Sequence, residues 1–116
     1  MDNKQVLVIE DDAIVILAWE SSLRKLLIRL TPATSLEEAE RLFPTKAWDV
    51  IVVDGCLGGD KFNTEELVHA IRGQGYTGPM IAASKSQNIR NLLIDAGCDI
   101  QSEKDFVPAQ IIEALN

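Results

Sequence analysis

The chain has 116 residues, 47% of them hydrophobic, and a formal charge of -7 from 18 acids against 11 Lys and Arg. That suits one domain, 1–116, with enough apolar material for a packed core, and excludes a disordered tail. The acidic balance without a basic stripe argues against direct nucleic-acid or anionic-membrane binding, and the apolar run Ala13 to Trp19 is too short to span a bilayer.

The first expected element is a strand, Val6–Ile9, followed at once by Glu10, Asp11 and Asp12. Asp12 is placed to cap the next helix. That helix, "AIVILAWESSLRKLL", is apolar on more than one face. On a helical wheel Val15, Ala18, Trp19, Ser22 and Leu26 share a side expected to pack on the sheet. Ile16 and Leu17 fall towards Glu20 and Arg24 and are expected at the surface, as an apolar docking patch. A second strand follows at Leu27–Leu30, and "SLEEAERLF" then sets Ser35 three residues before Glu38 as a capping box. Val50–Val53 is continuous and mostly β-branched, as a strand buried on both faces should be, and Asp54 ends it. "NTEELVHAI" repeats the capping pattern with Asn63 and Glu66, and His69 in that helix reads as a surface residue. The strand Met80–Ala83 ends at Ser84, and a helix from Gln87 to Ala96 stops at Gly97. A weak strand, Asp99–Ser102, leads to Lys104, and Pro108 suits the first turn of a last helix, Ala109–Leu115. Strand and helix thus alternate about five times, which implies a parallel sheet with helices on both faces. Trp19, Trp48 and Cys98 read as packing residues. No signal-peptide pattern opens the chain, and Cys56 and Cys98 have no metal-ligand neighbours, so a cytoplasmic protein with reduced thiols is expected.

Open parallel sheets form their sites beyond the carboxyl ends of the strands. Glu10, Asp11, Asp54, Ser84 and Lys104 all lie at such ends. Clustered Glu10, Asp11 and Asp54 cannot all stay ionised cheaply without a cation. Oxygen donors with no Cys or His set nearby favour a hard ion, Mg²⁺ with several waters retained. A carboxylate beside Mg²⁺ is a nucleophile towards phosphorus, giving an aspartyl phosphate. The Lys104 ammonium and the Ser84 hydroxyl would hold the other phosphoryl oxygens.

The stretches "VLVIEDD", "DVIVVDGCLGG", "MIAASK" and "GCDIQSEKDF" resemble the four motifs of the receiver domain of bacterial two-component response regulators, over Lys4 to Leu115. The resemblance implies the CheY-like, flavodoxin-like α/β fold, a doubly wound five-stranded parallel sheet in order 2-1-3-4-5 with five helices. It matches Asp54 to the phospho-acceptor, Glu10 and Asp11 to the acidic pair that places Mg²⁺, and Cys56 to a backbone-carbonyl ligand. Ser84 matches the hydroxyl residue that follows the phosphoryl group, and Lys104 the family's lysine. The implied donor is a phosphohistidine on a sensor histidine kinase or a phosphotransfer protein. The domain would promote its own phosphorylation and dephosphorylation, with no separate enzymatic substrate, and phosphorylation would switch a protein-interaction surface formed by the last two helices and the last strand. In that family the first helix packs on the kinase, which makes Ile16 and Leu17 candidates for docking or dimer contacts.

Four positions depart from the pattern. Gln101 stands in place of a switching Tyr or Phe, and Asp105 in place of a cis proline after the lysine. Gly58 replaces a common proline, and Lys85 occupies a position that is usually small. Gln101, Lys85 and Asp105 support an alternative, a receiver-like interaction domain that no longer uses phosphate; the intact set of Glu10, Asp11, Asp54, Ser84 and Lys104 weighs against it. A dehalogenase-type phosphatase needs a second Asp where Cys56 stands and is rejected. With the sequence ending at Asn116, no output domain is expected in it.

Overall fold

A computed structural model describes residues 3–116. Its strands are β1 (Lys4–Ile9), β2 (Ile28–Ala33), β3 (Val50–Asp54), β4 (Met80–Ala83) and β5 (Ile100–Ser102). The helices between and after them are α1 (Ala13–Leu23), α2 (Leu36–Leu42), α3 (Glu65–Gly73), α4 (Gln87–Ala96) and α5 (Val107–Ala114). All strand pairs are parallel, in the order β2-β1-β3-β4-β5, which is the doubly wound sheet anticipated above.

The unbroken apolar strands follow from this layering. Successive side chains of a strand point to opposite faces, and here both faces are covered. Leu7, Ile9, Ile51, Val53, Met80 and Ala82 pack with Leu67, Val68, Ile71 and Leu93 from α3 and α4. Their strand neighbours Val6, Val8, Val50, Val52, Ile81 and Ala83 pack with Trp19 and Leu23 of α1 and Val107 and Ile111 of α5. The register pairs Ile9 with Val53 and Asp54 with Ala83, so the strands end along one rim. Glu10, Asp54, Ser84 and Lys104 stand on that rim.

Four local expectations are corrected. β2 runs on to Ala33 through Pro32; as an edge strand it pairs only with β1 and tolerates a residue without an N–H. α1 stops at Leu23, and its buried stripe is Ile16, Trp19 and Leu23. Ile16 is therefore 7% exposed and offers no docking surface, while Leu17 is 61% exposed as expected. Trp19 belongs to both stripes; the one that forms, Ile16, Trp19 and Leu23, is apolar throughout, where the expected one carries Ala18 and Ser22, and the buried Trp19 indole donates to the Lys104 carbonyl at 2.8 Å. Ala18 and Ser22 accordingly face outward, and Leu26, beyond the end of α1, is exposed rather than packed on the sheet.

The remaining two corrections concern helix starts. Thr64 is the N-terminal flanking residue of α3, whereas the Asn63 side chain bonds both the N–H and the C=O of Leu57 and closes the β3–α3 loop. The expected Asn63–Glu66 capping box does not form, because a side-chain amide is used more fully as a donor–acceptor pair to a peptide group. α5 begins at Val107 rather than Ala109, after a short 3₁₀ turn over Lys104–Phe106. The Asp12 cap forms as expected and Ser35 Oγ accepts from the Glu38 N–H, but Glu38 turns its carboxylate back to the Thr34 N–H, one residue before the box position; Gly97, at φ +140, ends α4.

Candidate functional site

Glu10 enters the site from the end of β1 and is completely buried. Its Oε2 accepts from the N–H groups of Asp11 and Asp12 at 3.0 and 3.1 Å, which fixes the carboxylate in the turn before α1. Lys104 Nζ lies 2.8 Å from Glu10 Oε1 and 3.4 Å from Asp54 Oδ2. The approach to Oε1 is close but not aligned as a hydrogen bond, so charge attraction carries it. Burying a carboxylate costs several kcal/mol unless it is paired, so the Lys104 ammonium is what makes this rim tolerable.

Asp54 ends β3 with 5% of its surface exposed. Its Oδ1 accepts from the Cys56 N–H at 3.2 Å, and its own carbonyl accepts from the buried Thr64 hydroxyl at 2.9 Å. Asp11 is exposed, and its Oδ2 accepts from the Gly58 N–H at 3.1 Å. A proline at 58 could neither donate that bond nor adopt the φ of +75 found there, which accounts for the glycine. One oxygen each from Glu10, Asp11 and Asp54 lies within 4.8 Å of the others.

Ser84 follows β4 and is 6% exposed. Its Oγ accepts from the Ser86 N–H at 3.1 Å, and its own N–H donates to the Ser102 carbonyl. Among the described residues no peptide bond is cis, Lys104–Asp105 included, and Lys104 still reaches both carboxylates; Asp105 has not displaced it. Lys85 is exposed and lines a cleft of about 200 Å³ with Glu103, Lys104 and Asp105.

The electrostatics follow from burial. Desolvation raises the Asp54 carboxyl, Glu10 adds to the rise, and Lys104 and the Cys56 N–H oppose it, leaving it at about 6. Burial alone would lower Lys104, but Glu10 and Asp54 outweigh it and hold the ammonium above its ordinary range. Burial and then Asp54 push the Cys56 thiol up, which makes it a poor nucleophile beside the site. Three carboxylates against one ammonium leave two negative charges when all are ionised, the charge that a divalent cation balances. The all-oxygen donor set fits Mg²⁺ or Ca²⁺ and does not fit a soft metal.

Sequence reasoning placed the charged groups but missed two supports. Trp19 holds the backbone of Lys104, and Thr64 holds the carbonyls of Asp54 and Gly55. Neither carries a signal in the sequence, since a Trp in an apolar helix and a Thr before a helix have ordinary explanations.

Residues 6–116 match the family described as the response regulator receiver domain, and the chain belongs to that family. It is a receiver module of two-component signalling, the kind of domain that takes phosphoryl groups from histidine kinases. The receiver domain of Francisella response regulator 1452 is similar in structure, at 24% identity, with 97% of each chain covered and a TM-score of 0.80. The receiver domain of a Pseudomonas aeruginosa sensor histidine kinase, solved with a magnesium ion in its active-site cleft, is 25% identical. That match covers 97% of this chain and 94% of the other, with a TM-score of 0.81. A Burkholderia pseudomallei response regulator, solved with a phosphorylated aspartic acid and a calcium ion, has 21% identity and a TM-score of 0.81 over 98% of this chain and 67% of its own. No curated protein matches the chain in sequence.

Proposed function

We propose that the chain, 1–116, is one receiver domain and that Asp54 accepts a phosphoryl group from a phosphohistidine of a sensor histidine kinase or histidine phosphotransfer protein. The observation that carries this reading is the meeting of Glu10, Asp11, Asp54 and Lys104 at one rim from three separate strand ends. Glu10, the Asp54 carboxylate, Asp11 and the Cys56 backbone carbonyl would hold Mg²⁺, with waters completing its shell. When bound, the ion neutralises charge on the phosphoryl group and the carboxylates around it.

In the transfer an Asp54 carboxylate oxygen attacks phosphorus, the P–N bond to the donor imidazole breaks, and the imidazole leaves with the electron pair and takes up a proton from water. The Cys56 N–H orients Asp54 through Oδ1. Lys104, already shared between Glu10 and Asp54, can follow a phosphoryl oxygen as charge builds on it. Ser84 supplies a hydroxyl once Oγ leaves the Ser86 N–H. Hydrolysis of the acyl phosphate at the same site returns free Asp54, so the domain acts on itself and needs no separate substrate.

For the donor protein we propose a docking surface on α1 beside the site, carried by Ile14 and Leu17, which are 78% and 61% exposed. Two free thiols, Cys56 and Cys98, support a reducing, cytoplasmic setting.

The test is intact mass after incubation with Mg²⁺ and a small phosphodonor. Wild type should gain one phosphoryl group, and Asp54→Asn should gain none. A wild type that binds Mg²⁺ but stays unmodified would instead support the phosphate-independent interaction domain.

A further inference from the structure

We infer that Arg90 is a positioning residue that couples Ser84 to the side-chain amides of Gln87 and Gln101 on α4 and β5, a route that stands where the family pattern has an aromatic ring; this rests on the phosphorylation reading above. Arg90 is only 8% exposed, yet among the described residues it forms no ion pair. Its side-chain bonds go to neutral oxygens: Nη1 donates to the Ser84 carbonyl at 2.6 Å, Nη2 to Gln87 Oε1 at 2.8 Å, and Nε to Gln101 Oε1 at 3.4 Å. A buried guanidinium held by carbonyls alone is a costly way to fill space, and Leu or Met would pack there without desolvating a charge.

The rest of the network lies outside. Gln87 Nε2 donates to Gln101 Oε1 at 2.7 Å and to Asn91 Oδ1 at 2.9 Å, and Gln101 Nε2 donates to Asn91 Oδ1 at 3.2 Å. Gln87, Asn91 and Gln101 are exposed. Gln87, Arg90 and Gln101 also line a cleft of about 280 Å³ that extends to Phe106 and Gln110. An aromatic ring at 101 would offer Arg90 no amide oxygen, so this departure from the family pattern has a structural use here.

The coupling runs through one residue. Ser84 Oγ now accepts from the Ser86 N–H, the first backbone link into the α4 cap. If Oγ turns to a phosphoryl oxygen, that N–H loses its acceptor and the Ser84–Ser86 segment must adjust. Arg90 grips the Ser84 carbonyl, so the adjustment reaches the guanidinium and, through it, the amide oxygens of Gln87 and Gln101. By reciprocity, a change at Gln101 must alter the affinity of the site for a phosphoryl mimic.

The experiment uses ¹⁵N-labelled protein with Mg²⁺ and beryllofluoride, following backbone amides of Asp54 and Cys56 and side-chain amides of Gln87, Asn91 and Gln101. In wild type both sets should shift together. In Arg90→Met the backbone set should still shift, at an affinity changed by roughly five-fold or more, while the side-chain set stays still. Arg90→Lys restores charge but not the three-way grip and should behave like Arg90→Met. Gln101→Leu, a surface change, should show the same change in affinity and decides the matter if Arg90 variants do not fold. Side-chain amides that stay still in wild type while Asp54 and Cys56 respond would overturn the coupling alone. Wild-type affinity in Gln101→Leu would overturn it too, and silence of Asp54 and Cys56 in wild type would overturn the phosphorylation reading with it.

Discussion

Asp54 and Lys104 set what the site does with charge. A carboxyl raised to about 6 in the fold binds its proton more tightly than it does in the unfolded chain, where it titrates near 4. Its contribution to stability is therefore fully present below the unfolded value and is lost as pH rises through about 6. Without metal, the unfolding free energy from denaturant titrations should show a falling component from Asp54 between about pH 4 and pH 6, and Asp54→Asn should remove it. Added Mg²⁺ should raise stability most at neutral pH, where the carboxylates are ionised. Lys104→Met leaves Glu10 buried beside no ammonium, since Lys104 is the only cation paired with Glu10 or Asp54 among the described residues. It should destabilise the metal-free protein by about 3–5 kcal/mol in the same titrations, and Mg²⁺ should restore part of the loss.

At the scale of elements, the sheet delivers the site and the loops finish it. Strand ends bring Glu10 and Asp54 to neighbouring positions, since β1 and β3 pair with Ile9 opposite Val53. The β3–α3 loop is then held by Asn63 on Leu57, by Thr64 on Asp54 and by Gly58 on Asp11. Gly55 sits under α4 so closely that a Cβ there would overlap Ile89 Cγ2. Gly55→Ala should destabilise the protein by about 1–3 kcal/mol, and adding Ile89→Ala should cost less than the two single changes summed, measured as a double-mutant cycle. Additive losses would mean that α4 moves away freely instead of pressing on the site's loop.

Across the whole molecule, α1 and α5 cover one face of the sheet and α2, α3 and α4 the other, leaving the rim open to a donor. Ile14 and Leu17 lie on α1, which Trp19 ties to the site through the Lys104 carbonyl. Changing both Ile14 and Leu17 to Ser should slow phosphotransfer from a histidine-phosphorylated partner by about ten-fold or more, the loss expected of anchors near the centre of a small interface. Labelling by a small phosphodonor should stay at the wild-type rate. Equal loss in both assays would place the defect in the fold or the chemistry rather than in docking.

Much was legible in the sequence because the sheet imposes a simple grammar. Continuous β-branched runs such as Val50–Val53 can only be satisfied between two layers of helices, and acids at strand ends can only gather on one rim. Order of elements, layer count and the acidic cluster were thus determined by local pattern. The rotation of α1 was not, because Trp19 sits in both candidate stripes and packing decides which flank goes in; burying Ile16 and Leu23 removes more apolar surface than burying Ala18 and Ser22. The network around Arg90 was equally hidden: its partners on β4, α4 and β5 are distant or ambiguous in sequence, and a polar chain of bonds has no periodicity to betray it. Periodic burial is a one-dimensional signal, whereas hydrogen bonds between elements exist only once packing has chosen their neighbours.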